Sequence, residues 1–328
     1  MKRIIWVAWL LALALILGGC AKTTPTPTPG AETGNSRIVV GFSQIGTESD
    51  WRNANTKSMT LALSEDNGYR LIFSDAQQKR DKQIAAIRDF IKQDVDYIVV
   101  APVTEDGWET VLAEAKKAEI PVIIVDRMID VKDESLFTCW VGTNSRKESE
   151  MAVAWLETTY GNAPLRIAHL QGTMGSTAQL GRTAGLDAGL AEHSQWSLVF
   201  RDTGNFTDAG GKKLVKQLID SGVAFDVIFA ENDDMAIGAV EAMEEAGLQP
   251  GVDAAIISFD GNRPALELSL EGKINCVVEC NPLHGPRVQA LIEQLEAGET
   301  PAKYVYVEDG EVFETASLTE EIIKERPY

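Results

Sequence analysis

Short apolar runs alternate with amphipathic segments along almost the whole chain, roughly every 25–30 residues, and that rhythm leaves few folds open. A first set of strand-like runs covers residues 38–44, 70–74, 97–101, 122–126 and 137–141. A second set covers 166–171, 197–201, 227–230, 255–259 and 274–280. Between them the apolar period is helical: within 78–92, Ile84, Ile87 and Ile91 recur on one face. An Asp-rich start and a Gly stop mark 233–247 as another helix. Strands separated by helices in this way form parallel βαβ units. The pattern also repeats: the leading strand of each half ends in a polar, Gly-containing loop, Gln44-Ile-Gly-Thr47 and Gln171-Gly-Thr-Met174. The prediction is an α/β chain of two doubly wound parallel-sheet domains facing one another, with the break near 141–145. A single ten-strand sheet would leave the repeat unexplained. A further helix over 286–295, after Asn281-Pro282, could cross back to the first domain.

The N-terminus reads as a targeting segment. Lys2 and Arg3 precede an apolar run over 4–17, short for a membrane span and suited to a secretory signal. It closes in Leu17-Gly18-Gly19-Cys20, which resembles the bacterial lipobox and implies cleavage before Cys20 with lipid on its sulfur; an ordinary signal with a chance Cys is the alternative. The Thr/Pro stretch that follows, to residue 36, reads as an extended tether. Loss of the two cations Lys2 and Arg3 with the leader takes the net charge from −19 to −21, which argues against nucleic acid as a partner. Cys139, Cys276 and Cys280 form no CxxC; free buried thiols are expected, with a Cys139–Cys276 pair left open. The three His have no metal-ligand spacing.

Charged and amide groups gather where strands end. In the loop after the first run, Trp51 offers a flat apolar face and Arg52 a fork of donors, which suits a polyhydroxylated ring. A surface turn whose Trp caps the core is the plainer alternative. Asp126 and Arg127 close the fourth run, Asn232 follows the eighth, Asp260 the ninth, and Glu279 stands near the end of the tenth; Arg182 lies beyond the sixth. A single Asp at such a place is most often a helix cap, and Asp233 and Asp234 are read so. Around one cleft, these groups form a hydrogen-bonding set for vicinal hydroxyls.

The motifs Gly41-Phe-Ser-Gln-Ile-Gly-Thr-Glu-Ser-Asp-Trp-Arg52, Ala101-Pro-Val103 with Gly107-Trp108, Ile129-Asp-Val-Lys-Asp133 and Asn232-Asp-Asp-Met-Ala-Ile-Gly238 occur in one order. Together they make the chain similar to the type I periplasmic sugar-binding proteins of ABC transporters, with the galactofuranose-binding branch the most alike. The resemblance spans roughly residues 37 to 328. It implies a sugar site of Thr47, Glu48, Trp51, Arg52, Asp126, Arg127, Arg182, Asn232, Asp260 and Glu279, with Trp51 stacking on the ring. The chain departs from the family pattern at Thr47 and Asp50, beside the pocket loop, and at Asn144.

The resemblance further implies two lobes on a hinge, 37–141 plus about 282–305 and 142–281 plus about 306–328, after a leader over 1–19 and a lipidated tether over 20–36. The expected role is a monomeric receptor, lipid-anchored outside the cytoplasmic membrane, that closes on a neutral monosaccharide and delivers it to an ABC permease. No cofactor and no metal are implied. A sensory receptor feeding a chemoreceptor or histidine kinase is the alternative. Repressors that share the fold need an N-terminal DNA-binding segment, and here the leader and tether occupy that place. Asp126 and Asp260 could form a glycosidase-like pair, but each has an Arg nearby that is expected to hold its pKa down, so an enzyme is not expected.

Overall fold

Among the described residues, twelve strands make two six-stranded sheets whose orders match one another. The computed structural model describes residues 37–307 and 310–328. The expected leader, Cys20 and the tether lie outside the described residues. The first sheet holds β1 (Ile38–Gln44), β2 (Tyr69–Asp75), β3 (Tyr97–Val100), β4 (Val122–Val125) and β5 (Cys139–Gly142). The second holds β6 (Leu165–Gln171), β7 (Trp196–Thr203), β8 (Val227–Ala230), β9 (Ala255–Asp260) and β10 (Cys276–Glu279). Each gains a short edge strand late in the chain, β11 (Tyr304–Tyr306) and β12 (Val312–Phe313). The orders are β11-β5-β4-β3-β1-β2 and β12-β10-β9-β8-β6-β7, all parallel except β12, which runs antiparallel to β10. The two edge strands escape sequence reasoning because three and two residues are too few to show a period.

Strands β3, β4 and β8 are buried at every residue, as parallel strands covered on both faces must be. Alternate residues serve opposite cores. In β3, Val99 joins the core under α1 (Asp50–Ala62) and α9 (Gly285–Glu296), while Ile98 and Val100 join that under α2 (Arg80–Lys92) and α3 (Glu109–Lys117). The second sheet is sandwiched in the same manner. On one face lie α6 (Asp208–Asp220), α7 (Asp233–Glu245), α8 (Arg263–Leu270) and α10 (Glu320–Glu325); on the other lie α4 (Ser145–Tyr160) and α5 (Thr177–Glu192).

The chain passes between sheets three times: from β5 to α4, from β10 to α9, and from β11 to β12. Helix α9 returns to the first lobe, where Val288, Leu291 and Ile292 share a core with Met59 and Leu63 of α1 and its C-terminal neighbour. The helix expected over 233–247 forms, but its cap is Asn232, whose side chain accepts from the Met235 N–H; Asp233 and Asp234 lie inside the first turn instead. Cys139, Cys276 and Cys280 are free and buried, the first in one sheet and the second in the other. No helix among the described residues is long and apolar enough to cross a membrane.

Candidate ligand-binding site

In both sheets the order reverses beside the leading strand, between β1 and β3 and between β6 and β8, and the crevice outside the carboxyl ends there is where ligands bind in open α/β sheets. A cavity with about 400 Å³ of empty space, part of it open to solvent, lies between the two lobes. Glu48, Trp51, Arg52, Asp126 and Arg127 line it from the first lobe; Arg182, Phe206, Asn232 and Asp260 line it from the second; Thr143, Ser145 and Cys280 line it from the crossings.

The first wall begins with α1. Ser49 caps the helix by accepting from the Arg52 N–H (3.2 Å), which sets Trp51 and Arg52 in the first turn. Arg52 is almost fully buried; its Nε donates to Glu48 Oε1 (3.1 Å) and its Nη2 to Asp126 Oδ2 (2.6 Å). Arg52 Nη1 and Glu48 Oε2, on two residues that line the cavity, are buried with no partner. Burial alone would raise Asp126, but Arg52, aided by Arg127, holds it below the ordinary carboxylate value. Arg127 donates to the Val103 carbonyl (2.8 Å) and lies over the Phe206 ring at 5.5 Å. Burial, then repulsion from Arg52, pushes Arg127 down to about 10. Trp51 is buried against the hinge: its Nε1 donates to the Cys280 carbonyl (2.6 Å), and its ring meets His284 edge-on at 5.6 Å. Burial pushes His284 down to about 4, so the ring is neutral at pH 7.

The second wall repeats the plan with different partners. Arg182 donates through Nε (3.0 Å) and Nη2 (2.8 Å) to Glu148 Oε2, and Nη2 lies 3.4 Å from Asp260 Oδ1. Asp260 is pushed well above the ordinary range, first by burial and, despite Arg182, by Asp233, Asp234 and Glu148. This corrects the expectation that an Arg neighbour would hold Asp260 down: Arg182 is already engaged by Glu148. Both strand-end aspartates have positive φ, 63° at Asp126 and 117° at Asp260, a strained backbone that concentrates at functional sites.

Eight of the ten expected site residues thus line one cavity. Thr47 is exposed and Glu279 lies elsewhere. Glu279 accepts from Arg326 Nη1 (2.7 Å) and the Tyr328 hydroxyl (2.9 Å), so it is committed to the chain terminus. Two residues were missed. Glu148 sits in the first turn of α4, where an acidic residue in sequence reads as favouring the helix N-terminus rather than as a site group. Phe206 follows β7 with φ 61°, buried, its ring so close to Gly172 that a Cβ there would stand 1.9 Å away. The signal available for it was an aromatic inside a Gly-Asn turn after a strand. At the site Arg52, Arg127 and Arg182 face Glu48, Asp126, Glu148 and Asp260, three cations and four carboxyls. No group of three or more His, Cys, Asp or Glu among the described residues is placed to hold a metal.

Residues 40–285 match the periplasmic binding protein domain. The chain belongs to that family. It is 38% identical, over 81% of its length and 85% of the relative's, to the galactofuranose-binding protein of Escherichia coli (strain K12). Its fold is similar to that of the periplasmic binding protein of an arabinose ABC transporter from Shewanella sp. ANA-3, solved with α- and β-L-arabinofuranose, with TM-score 0.84, 39% identity and coverage of 88% of this chain and 95% of that one. A Mycobacterium smegmatis protein solved with β-D-fucofuranose is similar at TM-score 0.82 and 40% identity, covering 85% of this chain and 92% of that one. Two parallel-sheet α/β lobes are the architecture of this family's type I members.

Proposed function

We propose that the protein is the substrate-binding component of a sugar ABC importer, which closes its lobes on one neutral monosaccharide in furanose form and hands it to the permease. The observation that carries this reading is the doubled Arg–carboxylate wall. Arg52 with Asp126 and Arg182 with Asp260 face one cavity, with Trp51 in one lobe and Phe206 in the other as apolar plates. Relatives named or solved with galactofuranose, arabinofuranose and fucofuranose support the ring form. The three guanidinium groups are already matched by Glu48, Asp126 and Glu148, so an acidic sugar would add an uncompensated negative charge to a buried site. No proton donor and water-activating base need act here: the ion pairs are arranged to hold hydroxyls, and the role is binding by hinge closure. Anchoring through Cys20 and a monomeric state belong to the same reading.

A thermal-shift screen followed by calorimetry tests it. L-Arabinose, D-galactose and D-fucose, which reach furanose forms, should raise the melting temperature, and D-galacturonate should not. A uronate that bound more tightly than its parent sugar would overturn the neutral-ligand reading. Silence from every pentose and hexose would overturn the sugar reading.

A further inference from the structure

Two contacts join the lobes across the cleft outside the cavity. At one, Thr177 Oγ1 donates to Glu105 Oε1 (2.9 Å) and accepts from the Met128 N–H (2.7 Å). At the other, the backbone N–H of Asp50, first residue of α1, donates to Asp234 Oδ1 (3.3 Å) in the first turn of α7. The second contact brings two carboxyl groups from opposite lobes together. Asn232 Nδ2 donates to the other oxygen of Asp234 (3.2 Å). Behind it, buried Asp233 accepts from the Ser258 hydroxyl (2.6 Å) and the Asn262 N–H (2.7 Å), and Asp260 ends β9. The charged groups bearing on these acids are Asp50 from α1, Arg182 from α5 and Glu148 from α4. Arg182 is the cation among them, and Glu148 already holds it through two nitrogens. Lys57 of α1 borders the outer groove beside Asp50 and is exposed.

We propose that closing the lobes on sugar takes up a proton at the Asp50–Asp234 contact, so that sugar binding strengthens from mildly alkaline to mildly acidic solution. The inference rests on the sugar-binding reading above. Closure strips water from Asp234 and sets the Asp50 carboxylate against it; both changes disfavour a second negative charge and outweigh the bond from the Asp50 N–H, which by itself favours the ionised form. With the lobes in contact, burial first and Asp50 next push Asp234 up to about 8. Separating the lobes removes Asp50 and restores water, so the open form holds the proton less well. A ligand that favours the closed form must then bind together with a proton. The other cross-cleft contact, a hydroxyl between a carboxylate and an amide, supplies no such coupling near neutrality.

Calorimetric titration with L-arabinose and D-galactose, in buffers of differing ionisation heat at about pH 5.5 and about pH 8.5, reads both affinity and proton uptake. The expected result is about tenfold tighter binding at the acidic end, with net proton uptake. Asp234→Asn should bind with nearly the same affinity at both pH values and take up no proton. Asp50→Asn, which keeps the backbone donor, should flatten the profile without abolishing it and serves if Asp234→Asn folds poorly. Binding that ignores pH, or a slope that survives in Asp234→Asn, would overturn the proposal and leave the sugar reading intact. No binding of either sugar at any pH would bring down the sugar reading, and this inference with it.

Discussion

Asp126 follows β4 and meets Arg52 at 2.6 Å; Asp260 ends β9, the same place in the order of the other sheet, and lies 3.4 Å from Arg182. Each Arg stands in the helix after its lobe's leading strand. The skeleton is shared, yet the two aspartates titrate in opposite directions, Asp126 held down and Asp260 pushed up. Their neighbours explain it. Asp126 feels two guanidinium groups, Arg52 and Arg127, whereas Asp260 has one, already bound by Glu148, and two further acids behind it. One wall therefore presents an ionised acceptor and the other a carboxyl that can keep its proton and donate. A sugar hydroxyl does both, so opposite charging of equivalent positions lets a ring be gripped from each side without excess charge in the cavity.

The largest test of that contrast is Asp126→Ala. It removes an ionised partner from a buried pair and leaves Arg52 with Glu48 alone, so a loss of about 3 kcal/mol of stability is expected at neutral pH. The same change at Asp260 should cost less, because Arg182 keeps both bonds to Glu148. Denaturant melts of the two variants decide it, and equal losses would mean that the walls are charged alike. The pH course supplies the sign. Asp126 is depressed in the folded state, so its contribution is present above the ordinary carboxylate pKa and is lost as pH falls through the depressed value.

The aromatic plates differ too, and the expected effects are smaller. Trp51→Ala should weaken sugar binding by about 2 kcal/mol and Phe206→Ala by about 1 kcal/mol, judged by calorimetry, since the indole presents the larger face. Trp51 carries a second duty that its sequence context did not show. Its bond to the Cys280 carbonyl ties α1 to a crossing between the lobes, so Trp51→Ala should also lower the melting temperature. Loss of affinity greater for Phe206→Ala would place the main stacking surface in the second lobe.

How much of this was legible in the sequence follows the range of the interactions. The ten longer strands show as apolar runs because a parallel sheet buries whole strands, and the strand-end groups show because polar residues stop those runs abruptly. Glu279 has the same signature, but what claims it is Arg326, distant in sequence, and no local pattern encodes that partner. Glu148 is the converse: a helix glutamate with no strand-end signal, made functional by Arg182 in the neighbouring helix. Asn232 was legible as a strand-end amide but not as the cap of α7, a choice between Asn232, Asp233 and Asp234 that sequence leaves open. The opposite titration of Asp126 and Asp260 was out of reach for the same reason, since it depends on the number of guanidinium groups left after other pairings are made.

The smallest and sharpest effect is expected from Asp260→Asn. The amide keeps an acceptor for Arg182 and, like Asp, tolerates the positive φ at this position, so the fold should persist. In the unsubstituted chain Asp260 is raised on folding, so its contribution is complete below the ordinary carboxylate pKa and is lost as pH rises through the elevated folded value. Asn cannot ionise and escapes that loss. Relative to the unsubstituted chain, the variant should be close to neutral at acidic pH and gain up to about 1 kcal/mol as the solution becomes alkaline. Buried Asp233, held up at about 7 chiefly by burial, should titrate lower once a neighbouring acid is gone, which adds to the gain. Melts of both chains from acidic to alkaline pH measure it. If the variant instead loses ground as pH rises, Asp260 is an ionised partner of Arg182, and the two walls carry the same charge after all.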